Sequence, residues 1–489
     1  MWLLDGIAQV PATPTRISDI TLDSRDVRRG SLFFALKGRD SHGLKFAAEA
    51  ALQGASAILW EPAADLDAPV LPPAVFAAPV PDLRQLLGRI ADRFFQWPSS
   101  QLRIVGITGT NGKTTSAYLL AQCLMRLKGD AAYIGTIGWG RVGALEPLSH
   151  TTPDVISVHR MLATLKAQGV REVAMEVSSH ALAQGRVDGV RFHSANLSRD
   201  HLDYHATMHD YGEAKARLFA VESLAHAIIN IGDHFGRELA QRKKIRAPLT
   251  AVWVGANSTG WLAERTLNAT DVEVDLSGIR LELDGSFGRL SVATKLLGRF
   301  NAENSLIVLG CLESLGVELG EGAAALAECA APPGRMEVVE TANGGKPLAV
   351  IDYAHTPDAL GKALSSLREH CRGALWCVFG CGGDRDAGKR PMMGAIAAEL
   401  ADQIIVTDDN PRSEDPEAIV RAIVRGIDSH SVRVIHDRGQ AIATALREAK
   451  AADIVLIAGK GHEEYQIYGA TRRSFSDRHE ARKFLGAAA

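Results

Sequence analysis

The run Thr108-Gly109-Thr110-Asn111-Gly112-Lys113-Thr114-Thr115 stands between an apolar stretch, residues 102–107, and a helical pattern through Leu119, Leu120, Cys123, Leu124 and Leu127. A strand, a glycine turn and a helix in that order turn backbone N–H groups toward phosphates, and the helix N-terminus adds positive potential. Lys113 would neutralise the outer phosphate oxygens, and the Thr114 hydroxyl would ligate Mg²⁺. The regular P-loop expression requires Gly at position 107, where this chain has Ile107, so the pattern fails by one position.

Other polar groups also follow apolar runs. Residues 173–177 lead into Ser178-Ser179-His180, and residues 348–351 into Asp352-Tyr353-Ala354-His355. Later runs lead into Gly380-Cys381-Gly382-Gly383-Asp384-Arg385, Asp408-Asp409-Asn410-Pro411-Arg412 and Gly459-Lys460-Gly461-His462-Glu463. In open parallel sheets, ligands bind beyond the carboxyl ends of the strands. Two facing sheets would aim all these loops at one cleft.

The elements that must position these groups read as α/β. Short apolar runs at 102–107, 170–177, 227–229, 348–351, 375–379, 403–406 and 454–458 alternate with helical stretches, which predicts parallel sheet covered on both faces. Residues 279–283 alternate strictly and Leu290 and Val292 resume the alternation, predicting an antiparallel hairpin with one wet face as a scaffold or interface feature. Breaks at Gln96-Trp97-Pro98-Ser99-Ser100 and Ala331-Pro332-Pro333-Gly334 divide the 489 residues into domains near 1–98, 99–331 and 332–489.

Composition narrows the function. Hydrophobic residues make up 46% and charged residues 23%, which excludes a disordered or collagen-like chain. Lys+Arg 54 against Asp+Glu 57 leaves a net charge of −3, so no basic field draws the protein to nucleic acid or an anionic membrane. The N-terminus lacks a signal-peptide pattern and no run reaches about 18 apolar residues, which predicts a cytoplasmic protein with no membrane insertion. The six cysteines form neither a CxxC pair nor a zinc spacing and are expected as reduced, mostly buried thiols, Cys381 being a small residue in a tight loop rather than a nucleophile.

The loop Gly109-Thr110-Asn111-Gly112-Lys113-Thr114-Thr115 resembles the shorter ATP loop of the Mur ligases, the cytoplasmic amino-acid-adding enzymes of peptidoglycan synthesis. The resemblance continues through Leu22-Asp23-Ser24-Arg25, Thr151-Thr152-Pro153, Glu176-Val177-Ser178-Ser179-His180, Asp200-His201-Leu202-Asp203-Tyr204-His205 and Phe300-Asn301-Ala302-Glu303-Asn304. It runs on through Gly334-Arg335-Met336-Glu337, Asp352-Tyr353-Ala354-His355-Thr356-Pro357 and Gly459-Lys460-Gly461-His462-Glu463, and so spans essentially the whole chain. It implies a central P-loop-type parallel-sheet domain that binds ATP, a C-terminal Rossmann-like domain that binds the amino acid, and a smaller α/β N-terminal domain that binds the UDP-sugar substrate. Within the family, the likeness is to members that add diaminopimelate to the D-glutamate of UDP-N-acetylmuramoyl-L-alanyl-D-glutamate. ATP phosphorylates the carboxylate, and the amine attacks the acyl phosphate.

What the resemblance implies for individual residues extends the list. Glu176 and His201 become Mg²⁺ ligands with Thr114, although Mg²⁺ prefers oxygen donors and His201 rests on the family alone. Read by itself, Lys215 is a solvated helix lysine; by resemblance it carries a carbamate, an N6-carboxylysine that reverses its charge and supplies metal-binding oxygens. Leu22, Ser24, Arg39, Asp40 and Ser41 would meet the uridine end of the nucleotide-sugar, and Thr151, Thr152, Ser178, Gln184 and Arg186 its muramoyl-peptide part. Taken structurally, Thr151-Thr152-Pro153 could instead be a helix entry. Asn301, Arg335, Asp352 and His355 would complete the ATP site. Asp409-Asn410-Pro411-Arg412 marks diaminopimelate addition: a second carboxylate calls for a guanidinium fork, so Arg385 and Arg412 would clamp it while Glu463 and the Gly459 backbone hold the ammonium. Two departures from relatives are His150, which stands where Asn is frequent, and Gly232, which stands where an acidic residue is frequent.

The expected partners are therefore ATP, the UDP-muramoyl dipeptide and diaminopimelate, with the chain a monomer. A lysine-adding or folylpolyglutamate-forming sister enzyme is the alternative within enzymes. A nucleotide-binding regulatory protein that lost catalysis is the alternative outside them.

Overall fold

The computed structural model describes residues 2–7, 15–38, 41–63, 66–198, 208–242, 245–255, 265–339, 345–427 and 432–486. The chain forms two compact units, the first comprising 1–113, 128–228 and 233–249, the second 114–127, 229–232 and 250–489.

The first unit begins with a four-stranded parallel sheet, Asp19–Thr21, Ser31–Ala35, Ala57–Trp60 and Phe76–Pro79 in that order. Successive side chains serve opposite faces, as the pleat requires. Ile20, Leu32, Phe34 and Leu59 pack with Leu83, Leu87 and Ile90 of helix Leu83–Phe94, while Phe33, Ile58 and Trp60 pack with Leu44, Ala47 and Ala50 on the other side. Val155 and Ile156 of helix Val155–Ala167 join the first of these cores.

The same unit holds the strand Arg103–Thr108 between two parallel neighbours, Glu172–Glu176 and Ser194–Leu197. All but the first residue of Arg103–Thr108 are buried, as its apolar run predicts. The register sets Ile107 beside Glu176 and Thr108 beside Leu197, so Glu176, Ser198 and the glycine loop all emerge at one edge of the sheet.

In the second unit, Gly278–Gly285 pairs antiparallel with Leu290–Thr294 and, on its other side, with Arg265–Asp275. Ile279, Leu281 and Leu283 are buried while Arg280 and Glu282 are exposed, the wet-faced hairpin that the alternation predicts. The six-stranded sheet that follows runs Glu337–Val339, Leu348–Asp352, Ile454–Ala458, Leu375–Phe379, Gln403–Val406 and Val432–Val434. It is parallel except for its first strand. Cys377, Phe379, Ile404 and Leu456 face one core, and Trp376, Val378, Ile405 and Val455 the other, so the sheet is covered on both sides. The mixed α/β class expected from the sequence holds, with its parallel sheets and antiparallel extension.

All six cysteines are free thiols, five buried and Cys371 partly so. Burial pushes the Cys381 thiol up to about 12, which leaves it protonated and inert at neutral pH. Among the described residues, no helix is long and apolar enough to cross a membrane.

Candidate functional site

Gly109 and Gly112 adopt φ of +139° and +81°, conformations that side chains disfavour. A Cβ on Gly109 would lie 2.1 Å from Ser198 Oγ, so glycine lets the loop settle on the neighbouring strand end. There the Ser198 hydroxyl lies 3.0 Å from Thr108 O and 2.5 Å from Asn111 O. Helix Lys113–Lys128 starts directly after the turn, and Lys113 Nζ donates to Gly109 O at 2.7 Å and to Thr110 O at 3.1 Å. The ammonium thus stands over the loop, where phosphate charge would be met. Thr114 and Thr115 are buried in the first turn of that helix.

Lys215 corrects the reading that its residue type suggested alone. It is fully buried on helix Met208–Phe219 rather than solvated, and its Nζ donates to Thr110 Oγ1 at 3.2 Å. Glu176 is buried at its strand end, taking hydrogen bonds from the Tyr133 hydroxyl, from Thr136 N at 2.9 Å and from Thr136 Oγ1 at 3.2 Å. Thr136 Oγ1 in turn lies 3.0 Å from Thr151 Oγ1, which chains the carboxylate to the Thr151-Thr152-Pro153 segment. Thr152 Oγ1 donates to Glu176 O and accepts from Ser178 N, at 3.0 and 3.1 Å. Arg186 Nη1 reaches Thr152 O at 2.9 Å while its other nitrogens hold Gln184 Oε1. Five residues expected at the muramoyl-peptide end, Thr151, Thr152, Ser178, Gln184 and Arg186, therefore share one network with Glu176.

Some of these side chains also do local work. Ser178 caps the following helix through Ala181 N, and Asp154, the residue after Pro153, caps helix Val155–Ala167 through Ile156 N and Ser157 N. The helix-entry reading of Thr151-Thr152-Pro153 thus holds. His150 is exposed, with Nδ1 3.0 Å from Ser149 Oγ. Leu22 packs on the N-terminal core, Ser24 is buried in a helical turn capped by Asp23, and Ser41 O accepts from Gly38 N at 2.9 Å. Arg39, Asp40 and His201 lie outside the described residues.

For magnesium, the first unit offers hard oxygen donors rather than a preformed cage. Among the described residues no group of three His, Cys, Asp or Glu could hold a metal. Magnesium commonly binds through one or two carboxylates plus substrate phosphates and keeps its waters, so Glu176 beside a phosphate loop fits it.

In the second unit, the Asn301 carboxamide donates to Leu297 O at 2.7 Å and accepts from Asn304 Nδ2 at 2.7 Å, and Asn304 reaches Ser116 at 3.3 Å. The Asn301 side chain is thus engaged at the start of helix Phe300–Ser314, and Asn304 carries the link to the helix that follows the glycine loop. Asn230 Oδ1 accepts from Gly232 N at 2.8 Å while Nδ2 donates to Glu303 Oε2 at 3.0 Å, so the departure at Gly232 sits in a closed polar turn.

Asp352 accepts from Met336 N and Ala354 N, each at 2.8 Å, and so fixes the Gly334-Arg335-Met336 segment. Burial raises its carboxyl above the ordinary range, against the opposing pull of Arg335 and those two N–H groups. The Arg335 guanidinium stacks 4.8 Å from the Tyr353 ring centroid, and His355 Nδ1 lies 2.8 Å from Tyr353 O.

The amino-acid motifs meet nearby. Arg412, at φ +53°, donates through Nη1 to Gly383 O at 2.7 Å and lies 3.5 Å from Asn410 O, while its Nε and Nη2 make no hydrogen bond among the described residues. Arg385 is exposed on the Gly380–Arg385 turn. Asn410 Nδ2 donates to Glu463 Oε2 at 3.0 Å, and Gly459, at φ +115°, passes so near Asp409 that a Cβ would lie 3.1 Å from Oδ2. Sequence reasoning missed Lys460, Tyr133, Thr136 and Ser198. Only Lys460 gave a signal, a lysine between two glycines at a strand end.

The chain's likeness to known proteins agrees with this geometry. Family profiles match along it: the Mur ligase family catalytic domain over residues 16–95, the Mur ligase middle domain over 107–312, and the Mur ligase glutamate ligase domain over 334–461. The UDP-N-acetylmuramoyl-L-alanyl-D-glutamate–2,6-diaminopimelate ligase of Xanthomonas campestris pv. campestris (strain 8004) is 48% identical over 470 residues, covering 95% of this chain and 93% of the relative. A solved structure of a ligase of the same name is 38% identical, with a TM-score of 0.71 over 98% of this chain and 96% of its own. The MurF ligase of Thermotoga maritima, solved in complex with ADP, shares the fold at 19% identity, with a TM-score of 0.61 over 96% of this chain and 97% of its own.

Proposed function

Because the chain belongs to the Mur ligase family and is an ATP-dependent ligase, we propose that it adds meso-diaminopimelate to the D-glutamate of UDP-N-acetylmuramoyl-L-alanyl-D-glutamate. The observation that carries this reading is Arg412. It holds a left-handed conformation with one guanidinium nitrogen on Gly383 O, and Asn410 of the same motif donates to Glu463, the residue expected to take an ammonium.

The reaction transfers the γ-phosphoryl group of ATP to the D-glutamate carboxylate, and the amine then displaces phosphate from the acyl phosphate. The Gly109–Thr115 backbone and Lys113 orient the phosphates and meet their charge, which lowers the barrier chiefly through preorganisation. Magnesium, when bound, neutralises phosphate charge; Glu176, Thr114, His201 and the carbamate of Lys215 would hold it. Thr151, Thr152, Ser178, Gln184 and Arg186 position the muramoyl dipeptide, with Leu22, Ser24, Arg39, Asp40 and Ser41 at the uridine. Arg335, Asp352 and His355 serve the nucleotide, and Asn301 does so through the helix start that its buried side chain holds. Arg385 and Arg412 take the diaminopimelate carboxylate, a bidentate task that lysine cannot perform. We assign the domains as 1–98, 99–331 and 332–489, and the protein as a cytoplasmic monomer.

The test is ADP release by the purified chain with UDP-N-acetylmuramoyl-L-alanyl-D-glutamate, ATP and Mg²⁺. Release with meso-diaminopimelate and much less with lysine is expected. Preference for lysine would make the chain a sister enzyme, and no release with any amino acid would refute the catalytic assignment.

A further inference from the structure

The ring joining Asp409-Asn410 to Lys460–Glu463 contains a charge that the proposed reaction leaves without a role. Lys460 has a side-chain exposure of 0%, and an unpaired ammonium there would be prohibitively costly. Its N–H donors find Asp409 Oδ1 at 3.4 Å, Asn410 Oδ1 at 3.3 Å and Glu463 Oε2 at 3.1 Å, so the donor capacity of the ammonium is matched in full.

Asn410 closes the ring. Its Nδ2 donates to the same Glu463 Oε2, and its Oδ1 also accepts from Ile467 N at 3.1 Å. Glu463 Oε2 therefore receives two donors, while Oε1 accepts no hydrogen bond among the described residues. The Glu463 side chain keeps 19% of its exposure, unlike Lys460 beneath it. One lysine faces two carboxylates, of which Glu463 is the more exposed at 19% against 10% for Asp409.

From this geometry we infer that Lys460 is a positioning residue: it fixes Glu463 so that Oε1 receives the ammonium of the incoming diamino acid that is not the nucleophile. The inference deepens the proposed function and rests on it. Asn410 belongs to the same device, because its carboxamide bonds both Glu463 and Lys460. A carboxylate held by one oxygen and open at the other is preorganised, and preorganised acceptors lose less on binding than mobile ones. The ring would thereby help select a substrate with a second amino group.

The test compares meso-diaminopimelate with (2S)-2-aminopimelate, which keeps one amino group and both carboxylates but lacks the second ammonium. kcat/KM is measured for each with the full chain, or the inhibition constant where 2-aminopimelate is not turned over. Lys460→Met should lower kcat/KM for meso-diaminopimelate about tenfold or more, mainly through KM, the loss of one charge-assisted contact. The values for 2-aminopimelate and the KM for ATP should stay within about twofold. Adding Lys460→Met to Glu463→Gln should cost little more than Glu463→Gln alone, since both act on one contact. No loss, equal loss for both amino acids, or additive losses in the double variant would overturn the inference. Should Lys460→Met fail to fold, Lys460→Arg keeps the charge and alters the donor geometry: a loss selective for meso-diaminopimelate supports the assignment, and an unchanged or uniform response refutes it. Absence of ADP release by the unmodified chain would instead count against the proposed function itself.

Discussion

Lys215 Nζ lies 3.2 Å from Thr110 Oγ1, so a fully buried lysine on helix Met208–Phe219 touches the glycine loop that precedes Lys113. Burying an ammonium is costly unless it is paired or hydrogen-bonded, and Thr110 supplies one such contact here. Conversion to a carbamate would turn that buried cation into an anion with oxygen donors, suited to magnesium and not to phosphate.

Lys215→Ala should lower kcat by about 100-fold, the scale on which metal-supporting groups act. Alanine at Lys346, an exposed lysine, should leave activity unchanged. Bicarbonate should raise the activity of the unmodified enzyme after CO₂ depletion and do nothing for Lys215→Ala. Equal activity in the two alanine variants would remove the carbamate from the mechanism.

Arg412→Lys tests the guanidinium fork without changing the backbone demand, since both residues bear the same penalty at φ +53°. Lysine keeps the charge but cannot bond Gly383 O and a carboxylate with one planar group. KM for meso-diaminopimelate should rise about 10- to 100-fold, with KM for ATP unchanged. If both constants stay put, Arg412 is not the carboxylate clamp.

The legible parts of the fold were those in which local pattern and tertiary burial agree. Leu375–Phe379, Gln403–Val406 and Ile454–Ala458 are strands where the sequence places them, because each is a short apolar run buried on both faces. Arg265–Asp275 escaped notice: Asn268, Thr270, Asp271 and Glu273 obscure its alternation, and its pairing shifts register between Ala269 and Asp271. In the site, residue types revealed the glycine loop and the Arg412 motif. Tyr133 acts through Glu176, 43 residues away, and Lys460 reaches Glu463 three residues on only as part of a ring with Asp409 and Asn410, 51 and 50 residues away; those long-range partners lie beyond any spacing rule.

Gly334→Ala probes how the segment before Arg335 meets the amino-acid loop. Gly334 holds φ +66°, and a Cβ would fall 2.2 Å from both Gly461 C and His462 N, backbone atoms that cannot swing aside. The left-handed conformation alone costs alanine roughly 1–2 kcal/mol. Urea unfolding should show a loss at least that large, and KM for meso-diaminopimelate should rise as the Lys460–Glu463 turn is displaced. Unchanged stability and KM would mean that this close approach relaxes freely.

Asp92 and His159 give the first unit an internal pH balance. His159 is fully buried; Nε2–H donates to Asp188 O at 2.9 Å, which leaves Nδ1 a lone pair 3.6 Å from Asp92 Oδ1. Burial raises the Asp92 carboxyl to about 6 and lowers the His159 imidazole to about 4, so both prefer to be neutral. The signs oppose each other. A raised carboxyl contributes stability that is present below its ordinary 3.8 and lost as pH climbs through 6, whereas a depressed imidazole contributes stability that is present above its ordinary 6.5 and lost as pH falls through 4. Between pH 4 and 6 the two slopes largely cancel in the native protein. Asp92→Asn removes one of them, so stability should fall more steeply on acidification from 6.5 to 4 than in the unmodified chain, by at most about 1.4 kcal/mol per pH unit, and Tm should fall with it. His159→Gln should do the reverse, with acidification raising Tm relative to the unmodified chain. Parallel Tm–pH curves for all three proteins would show that neither group changes its proton on unfolding, and the balance would then have to reside elsewhere.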